Sequence, residues 1–234
     1  MLQKSISFMR ELVANNRTKD WFDAHRADYQ QAKDEFERFI DKLIIEIRQF
    51  DPSIGSLTAK DCIYRIFRDV RFSPDKTPYK RYMGAYIARG GRKSELCGYY
   101  FHIEPSDAGF LNHSLWSGGV YCPDSKTLKA VRTDIYENID EYKSLIFHKE
   151  FTDTFNWFEG DPVKTTPKGF PKDFPDIDLI KPKDFTFYKN IDESLLASDQ
   201  LLEKSVEVYR KMLPYNEFMN RSILYHQEMG KQSM

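Results

Sequence analysis

Hydrophobic spacing changes twice along this chain, and the change sets the fold class. From Trp21 to Phe50 the apolar positions include Phe22, Tyr29, Phe36, Phe39, Ile40, Leu43, Ile44 and Ile47. The later ones recur at intervals of three and four, the period of an amphipathic helix. Asp51-Pro52 closes the run, because proline cannot continue the hydrogen-bond ladder. A shorter stripe of Phe8, Leu12 and Val13 precedes it, broken by Asn15-Asn16, with Thr18 as the expected N-cap of the next helix. The middle is different. Ile63 to Phe67, Tyr82 to Ala88, Leu96 to Glu104 and Phe110 to Trp116 are short and aromatic. Ser73-Pro74-Asp75, Gly90-Gly91 and Pro105-Ser106-Asp107 punctuate them as turns. Short connections favour antiparallel pairing. Helical spacing returns with Leu128, Val131, Ile135, Ile139, Tyr142 and Leu145. It resumes from about Glu193 to Met212, where Pro214 is expected to end the helix. The spacing predicts an α+β fold, with an antiparallel sheet of at least three strands in mid-chain flanked by N- and C-terminal helices.

In the third of these strands Cys97, Tyr99, Phe101 and Ile103 share one face and are expected to meet the core. Gly98, Tyr100, His102 and Glu104 share the other, expected to face solvent or a cleft. Trp21, Phe22, Phe39, Leu43 and Ile47 are expected to be mostly buried. Residues 160–185, rich in proline and charge, read as an irregular but ordered loop, a kind that is often functional within a compact domain. No repeat or linker-like shift divides the 234 residues, so one domain is expected, with a frayed tail from about residue 230.

The balance of 35 basic and 36 acidic residues gives a net charge of -1, which argues against bulk nucleic-acid binding. Cys62, Cys97 and Cys122 are widely spaced and read as small hydrophobes in a reducing compartment. With no secretory h-region and no apolar run long enough to span a bilayer, the expected location is the cytoplasm, with no membrane partner.

Charge is concentrated in one place. Arg65 to Arg81 carries six basic residues (Arg65, Arg68, Arg71, Lys76, Lys80 and Arg81) against Asp69 and Asp75, a local net of +4. Pro74 and Pro78 stiffen it, and fixed donors recognise an anion at little cost in ordering entropy. Arginine suits bidentate recognition of phosphate or carboxylate. The expectation is an anion-binding cleft lined by Arg65, Arg68, Arg71, Lys76 and Lys80, joined from the late loop by Lys164 or Lys168. The alternative is an internal network in which Asp69 and Asp75 consume the donors. Asp69, Asp75 and Glu104, paired with Tyr79 or Tyr100, are candidates for acid–base chemistry. No two of the five histidines stand at i, i+4. His102 and His113, even with Glu104 and Cys122, do not make a set that predicts zinc, so no metal is expected. Nucleophile-elbow, zincin, P-loop and dinucleotide motifs are missing from the sequence, so no cofactor and no catalytic residue is assigned.

The run R-I-F-R-D-V-R-F-S-P-D-K-T-P-Y-K, Arg65 to Lys80, resembles the signature of the family called domain of unknown function 2461. Phe8-Met9, Asn15-Asn16, Lys19, Trp21-Phe22, Arg26 and Tyr29 are similar to its N-terminal pattern. Gly98-Tyr99-Tyr100 with Ile103-Glu104-Pro105, then Gly118-Gly119, Pro123, Leu128 and Arg132, resemble its middle. Pro167-Lys168-Gly169-Phe170-Pro171, Asp176-Ile177-Asp178 and Lys181 resemble its late loop. Thr165 and Phe174 depart from that loop's pattern, where a basic residue and a histidine are common. The resemblance spans about residues 6–190. It implies an α+β domain found in bacteria and some fungi, and it implies no activity. The functions the sequence leaves open are binding of, or action on, a small anionic ligand, nucleic-acid binding through the same patch, and a protein-interaction module. Oligomeric state is not legible.

Overall fold

Each change of hydrophobic period marks a change of secondary structure. The computed structural model describes residues 1–158 and 162–232, with side chains through Glu228. The chain opens with helix α1 (Gln3–Ala14), α2 (Lys19–Ala24), α3 (Arg26–Phe50) and a short α4 (Ala59–Cys62). Strands β1 (Met83–Ile87), β2 (Gly98–Ile103) and β3 (Ser114–Val120) come after them. Next are α5 (Ser125–Glu137), α6 (Ile139–Ile146), α7 (Lys149–Thr154) and the two-residue β4 (Asn156–Trp157). Strand β5 (Phe185–Ile191), α8 (Glu193–Ala197) and α9 (Leu201–Gln232) complete the described chain. The strands form one antiparallel five-stranded sheet in the order β1-β2-β3-β5-β4. The α+β class and the flanking helices are as the spacing predicts.

Several local expectations are corrected. The helical run from Trp21 is interrupted at His25, whose ψ of 28° departs from the helical value and whose Nδ1 lies 2.8 Å from the Trp21 carbonyl. Ile63 to Phe67 is not a strand. It makes only two isolated bridges, Ile63 to Ala85 and Phe67 to Tyr79. Strands β4 and β5 are not among the strands the spacing predicts, although Pro182 and Asp184 precede β5. Pro214 lies inside α9 rather than at its end. The expected frayed tail falls mostly on residues whose side chains lie outside those described, and Ser233 and Met234 lie outside the described residues altogether.

The chain clusters into two compact units. The first comprises Met1–Lys93, Tyr99–Trp116 and Asn190–Arg210. Here α1 lies on α3, and the Ser5 hydroxyl bonds both the Ala32 carbonyl (2.9 Å) and Glu35 Oε2 (2.8 Å). Phe22, Phe39, Leu43 and Ile47 are buried as expected, whereas Trp21 is half-buried. Phe39 packs 4.9 Å from Phe101 of β2, and the Tyr99 hydroxyl donates to Asp51 Oδ2 (2.8 Å). Asp51 also caps the turn that closes α3, accepting from Ser53 N–H at 3.1 Å. Burying each such aromatic or aliphatic side chain contributes about 1.5–3 kcal/mol.

The second unit comprises Ser94–Gly98, Ser117–Lys189 and Lys211–Met234. Two asparagines one helical turn apart organise it. Asn216 accepts from Gly119 N–H and donates to the Gly98 carbonyl, each at 3.0 Å. Asn220 accepts from Cys97 N–H (2.7 Å) and donates to its carbonyl (3.1 Å). Gly119 has φ +103°, and a Cβ there would sit 2.1 Å from the Phe185 carbonyl oxygen, so only glycine fits. At the end of the late loop buried Arg132 donates to the Lys181 (3.0 Å) and Pro182 (2.7 Å) carbonyls. Those bonds anchor a stretch whose described residues before β5 show one 3-10 turn, at Ile177–Leu179.

Candidate functional site

The basic segment folds as a hairpin-like loop. Arg68 N–H donates to the Pro78 carbonyl and Lys80 N–H to the Ile66 carbonyl, both at 2.8 Å. Asp75 organises its tip, as the Ser-Pro-Asp sequence suggests. Its carboxylate accepts from the Thr77 hydroxyl (2.7 Å) and the Thr77 N–H (2.9 Å). It also pairs with Arg68 (2.7 Å) and Arg17 (3.3 Å). The two Thr77 bonds, followed by the Arg17 and Arg68 charges, hold the Asp75 carboxyl well below the usual carboxylate range.

Further bonds engage most of the predicted donors within the first unit, although Arg71 and Lys76 stay exposed. Arg68 further donates to the Thr77 carbonyl (2.9 Å) and to Ser73 Oγ (3.2 Å). Arg71 makes a two-pronged pair with Asp69 at 3.0 and 2.7 Å. The Lys76 ammonium donates to the Val70 carbonyl at 3.0 Å. Arg81 donates to the Ala108 and Gly109 carbonyls, both at 2.7 Å. Lys168 lies in the second unit and is exposed.

Arg65 and Lys80 differ from these. Arg65 is exposed, and among the described residues no ion pair engages it. The Lys80 ammonium is half-buried, 5.3 Å from the centre of the Tyr64 ring and 5.5 Å from that of Tyr82. Burial, reinforced by the charge of Arg65, lowers its hold on its proton. Among the described residues no carboxylate forms an ion pair with it.

Beside Tyr82 runs a chain of polar groups. The Tyr100 hydroxyl lies 2.9 Å from His102 Nδ1, and His102 Nε2 lies 3.0 Å from Glu104 Oε2. The His102 ring lies tilted against Tyr82 with centroids 4.6 Å apart, and Tyr64 meets Tyr100 edge-on at 6.5 Å. His102 and Glu104 are 0% and 1% exposed. The strand face expected to meet solvent or a cleft is therefore covered at these two positions, and Tyr100 is half-buried. Glu104 also accepts from Phe110 N–H and Leu111 N–H, each at 2.9 Å. Burial alone would push the Glu104 carboxyl up. The His102 hydrogen bond and the Leu111 and Phe110 N–H groups outweigh it and hold the group below the ordinary range. Burial lowers the His102 pKa against the opposing pull of Glu104. An ionised carboxylate only accepts, so His102 carries its proton on Nε2 and presents the Nδ1 lone pair to Tyr100.

The sequence placed Tyr100, His102 and Glu104 on one face by alternation and named Tyr100 and Glu104 for acid–base work. It missed His102 as the link between them, since only the structure brings the ring between the two. A second feature it missed is an open groove of ≈ 410 Å³ lined by Phe8, Glu11, Trp21, His25 and Asp28 among others. Among the described residues no three His, Cys, Asp or Glu side chains converge as metal ligands.

The fold and the site define an α+β protein with a mid-chain antiparallel sheet and a polar relay on one of its strands. Residues 4–218 match the family described as "Conserved hypothetical protein (DUF2461)", and the chain belongs to that family. No curated protein and no solved structure matches the chain.

Proposed function

We propose that the chain binds a small anionic ligand, bearing phosphate or carboxylate, through Arg65 and Lys80 of the first unit. One observation supports this above the rest: Lys80 is a half-buried ammonium whose charge meets two tyrosine faces and no carboxylate among the described residues. Withdrawing a charge from water is costly unless a counter-charge or hydrogen bonds replace the hydration. An anionic ligand supplies that counter-charge. Cation–π contact with Tyr64 and Tyr82 offsets part of the cost and holds the ammonium in place. Arg68, Arg71 and Lys76 then shape the loop instead of touching the ligand, and the proposal is confined to the first unit without Lys168. The near-neutral net charge disfavours nucleic acid as the partner. The three free thiols fit a reducing compartment, so we place the chain in the cytoplasm. No helix among the described residues is long and apolar enough to cross a membrane.

Thermal unfolding in millimolar inorganic phosphate, pyrophosphate, citrate and a short DNA duplex tests the reading. The expected result is a higher midpoint with at least one of the three small anions, lost in the double variant Arg65→Ala, Lys80→Ala and kept in Arg71→Ala. No small anion stabilising the unaltered protein, or equal stabilisation of the double variant, sinks it. Stabilisation by duplex alone favours the nucleic-acid reading.

A further inference from the structure

We infer that Tyr100 is a proton-transferring residue, its hydroxyl exchanging a proton with the ligand through a relay formed with His102 and Glu104; this rests on the anion-binding reading above. The relay has a direction. Glu104 and His102 are out of water, and Tyr100 at its end is half-buried, so the chain of hydrogen bonds runs from the interior toward the surface. The three residues stand at alternate positions on and just beyond β2, where strand geometry sends their side chains to one side. Both oxygens of the carboxylate are engaged: Phe110 N–H occupies Oε1, and Leu111 N–H and His102 share Oε2. The carboxylate is therefore held in orientation, and the imidazole is fixed in the tautomer that accepts from a phenol.

Glu104 serves the fold by holding the Phe110 and Leu111 N–H groups, but that task needs neither the imidazole of His102 nor its bond to a phenol. Buried titratable groups with opposed environments cluster where proton transfer is carried out. The neighbouring strand also makes room for the hydroxyl. Gly84 stands opposite His102 in the β1–β2 register, and a Cβ there would lie 2.8 Å from the Tyr100 hydroxyl oxygen and 3.1 Å from its ring. Glycine at this position lets the phenol reach His102. Lys80, close to the rings of both Tyr64 and Tyr82, brings positive charge to the tyrosines that border the relay.

Protons and charge balance in the transfer. The Tyr100 O–H bond breaks and its proton passes to His102 Nδ1, whose new charge is neutralised by Glu104. The phenolate then takes a proton from the ligand, and the relay runs backward to return one. A phenol suits proton exchange with an oxygen atom, so the ligand class is a phosphate or carboxylate that carries a hydroxyl or carbonyl group. His102 and Glu104 are positioning residues, since neither reaches solvent.

Aryl sulfonyl fluorides test this without a known substrate. A phenolate oxygen attacks sulfur, the S–F bond breaks, fluoride leaves, and the phenolic proton goes to His102. Two probes are used, benzenesulfonyl fluoride and the anionic 4-(fluorosulfonyl)benzoate, with modified peptides quantified by mass spectrometry between pH 6 and 9. The titratable and charged groups around the relay are Tyr64, Lys80, Tyr82, Tyr209, whose hydroxyl donates to the Tyr100 carbonyl, and, through its field on His102, His113. The expected result is labelling of Tyr100 at least ten-fold faster than exposed Tyr225. His102→Gln and Gly84→Ala should each remove that advantage with an unchanged circular dichroism spectrum. Equal rates at Tyr100 and Tyr225, or an unaltered rate in either variant, overturn the proposal. If His102→Gln does not fold, Gly84→Ala and the rate ratio in the unaltered protein decide. Failure of the anion reading has a separate signature. The anionic probe then labels Tyr100 no faster than the neutral one, and Arg65→Ala with Lys80→Ala leaves their ratio unchanged, while the dependence on His102 persists.

Discussion

Asp75 shows how one residue can decide what its neighbours do. It gathers Thr77, Arg68 and Arg17 around a single carboxylate, and the loop from Arg68 to Lys80 takes its shape from those bonds. Replacing it by alanine releases the Arg68 guanidinium and opens the tip. We expect Asp75→Ala to lower the thermal midpoint and to speed tryptic cleavage after Arg71, where Phe72 is 95% exposed. An unchanged cleavage rate would show that the loop holds its shape without this carboxylate. The density of charge in Arg65 to Arg81 was legible in the sequence, as was the possibility that Asp69 and Asp75 take up the donors. Which arginines they take was not. Asp69 reaches Arg71 two residues away, a local pairing, whereas Asp75 reaches Arg17 from 58 residues away, a tertiary one. Lys80 emerged as distinctive only because folding brings the rings of Tyr64 and Tyr82 to its ammonium.

Helix α9 is the element where local propensity and tertiary packing disagree most clearly. Proline removes a backbone donor and presses on the carbonyl one turn back, so Pro214 reads as a terminator. The helix nevertheless continues, and Tyr215, Asn216, Phe218, Met219 and Ile223 beyond it are all buried. Their burial, with the Asn216 bonds to Gly119 and Gly98, outweighs the cost of the proline. Pro214 itself is exposed, so replacing it loses little packing. Pro214→Ala is expected to raise the free energy of unfolding by about 1–3 kcal/mol in urea titration. A lower stability would mean that the ring fixes a bend the fold requires. The reverse conflict occurs at Ile63 to Phe67, whose β-rich composition predicts a strand. There the backbone makes isolated bridges, because Arg68 and Lys80 turn the chain back on itself immediately afterwards.

For the whole molecule, burial of the His102–Glu104 pair links stability to pH. The folded-state pKa of His102 is lowered, so the unfolded chain binds its proton first as pH falls through about 6.5. The stability contributed by keeping the imidazole neutral is present above that value and is lost as pH falls toward the folded pKa. Glu104, also lowered, adds a further loss at more acid pH, below about 4.3. The thermal midpoint should therefore decline between pH 7 and 5, and His102→Gln should flatten that part of the profile. An identical slope in the variant would remove His102 as the cause. The two changes of hydrophobic period determined the helical flanks, the antiparallel middle and the buried faces of α3 and β2, because periodicity is a local consequence of backbone geometry. The signature from Arg65 to Lys80 determined the family. Tertiary structure alone decided that Arg68 and Arg71 serve the loop, that α9 passes through a proline, and that Tyr100, His102 and Glu104 join into one relay. Hydrogen bonds and burial arise between groups that folding brings together, and a linear pattern records which face a side chain takes but not what it will meet there.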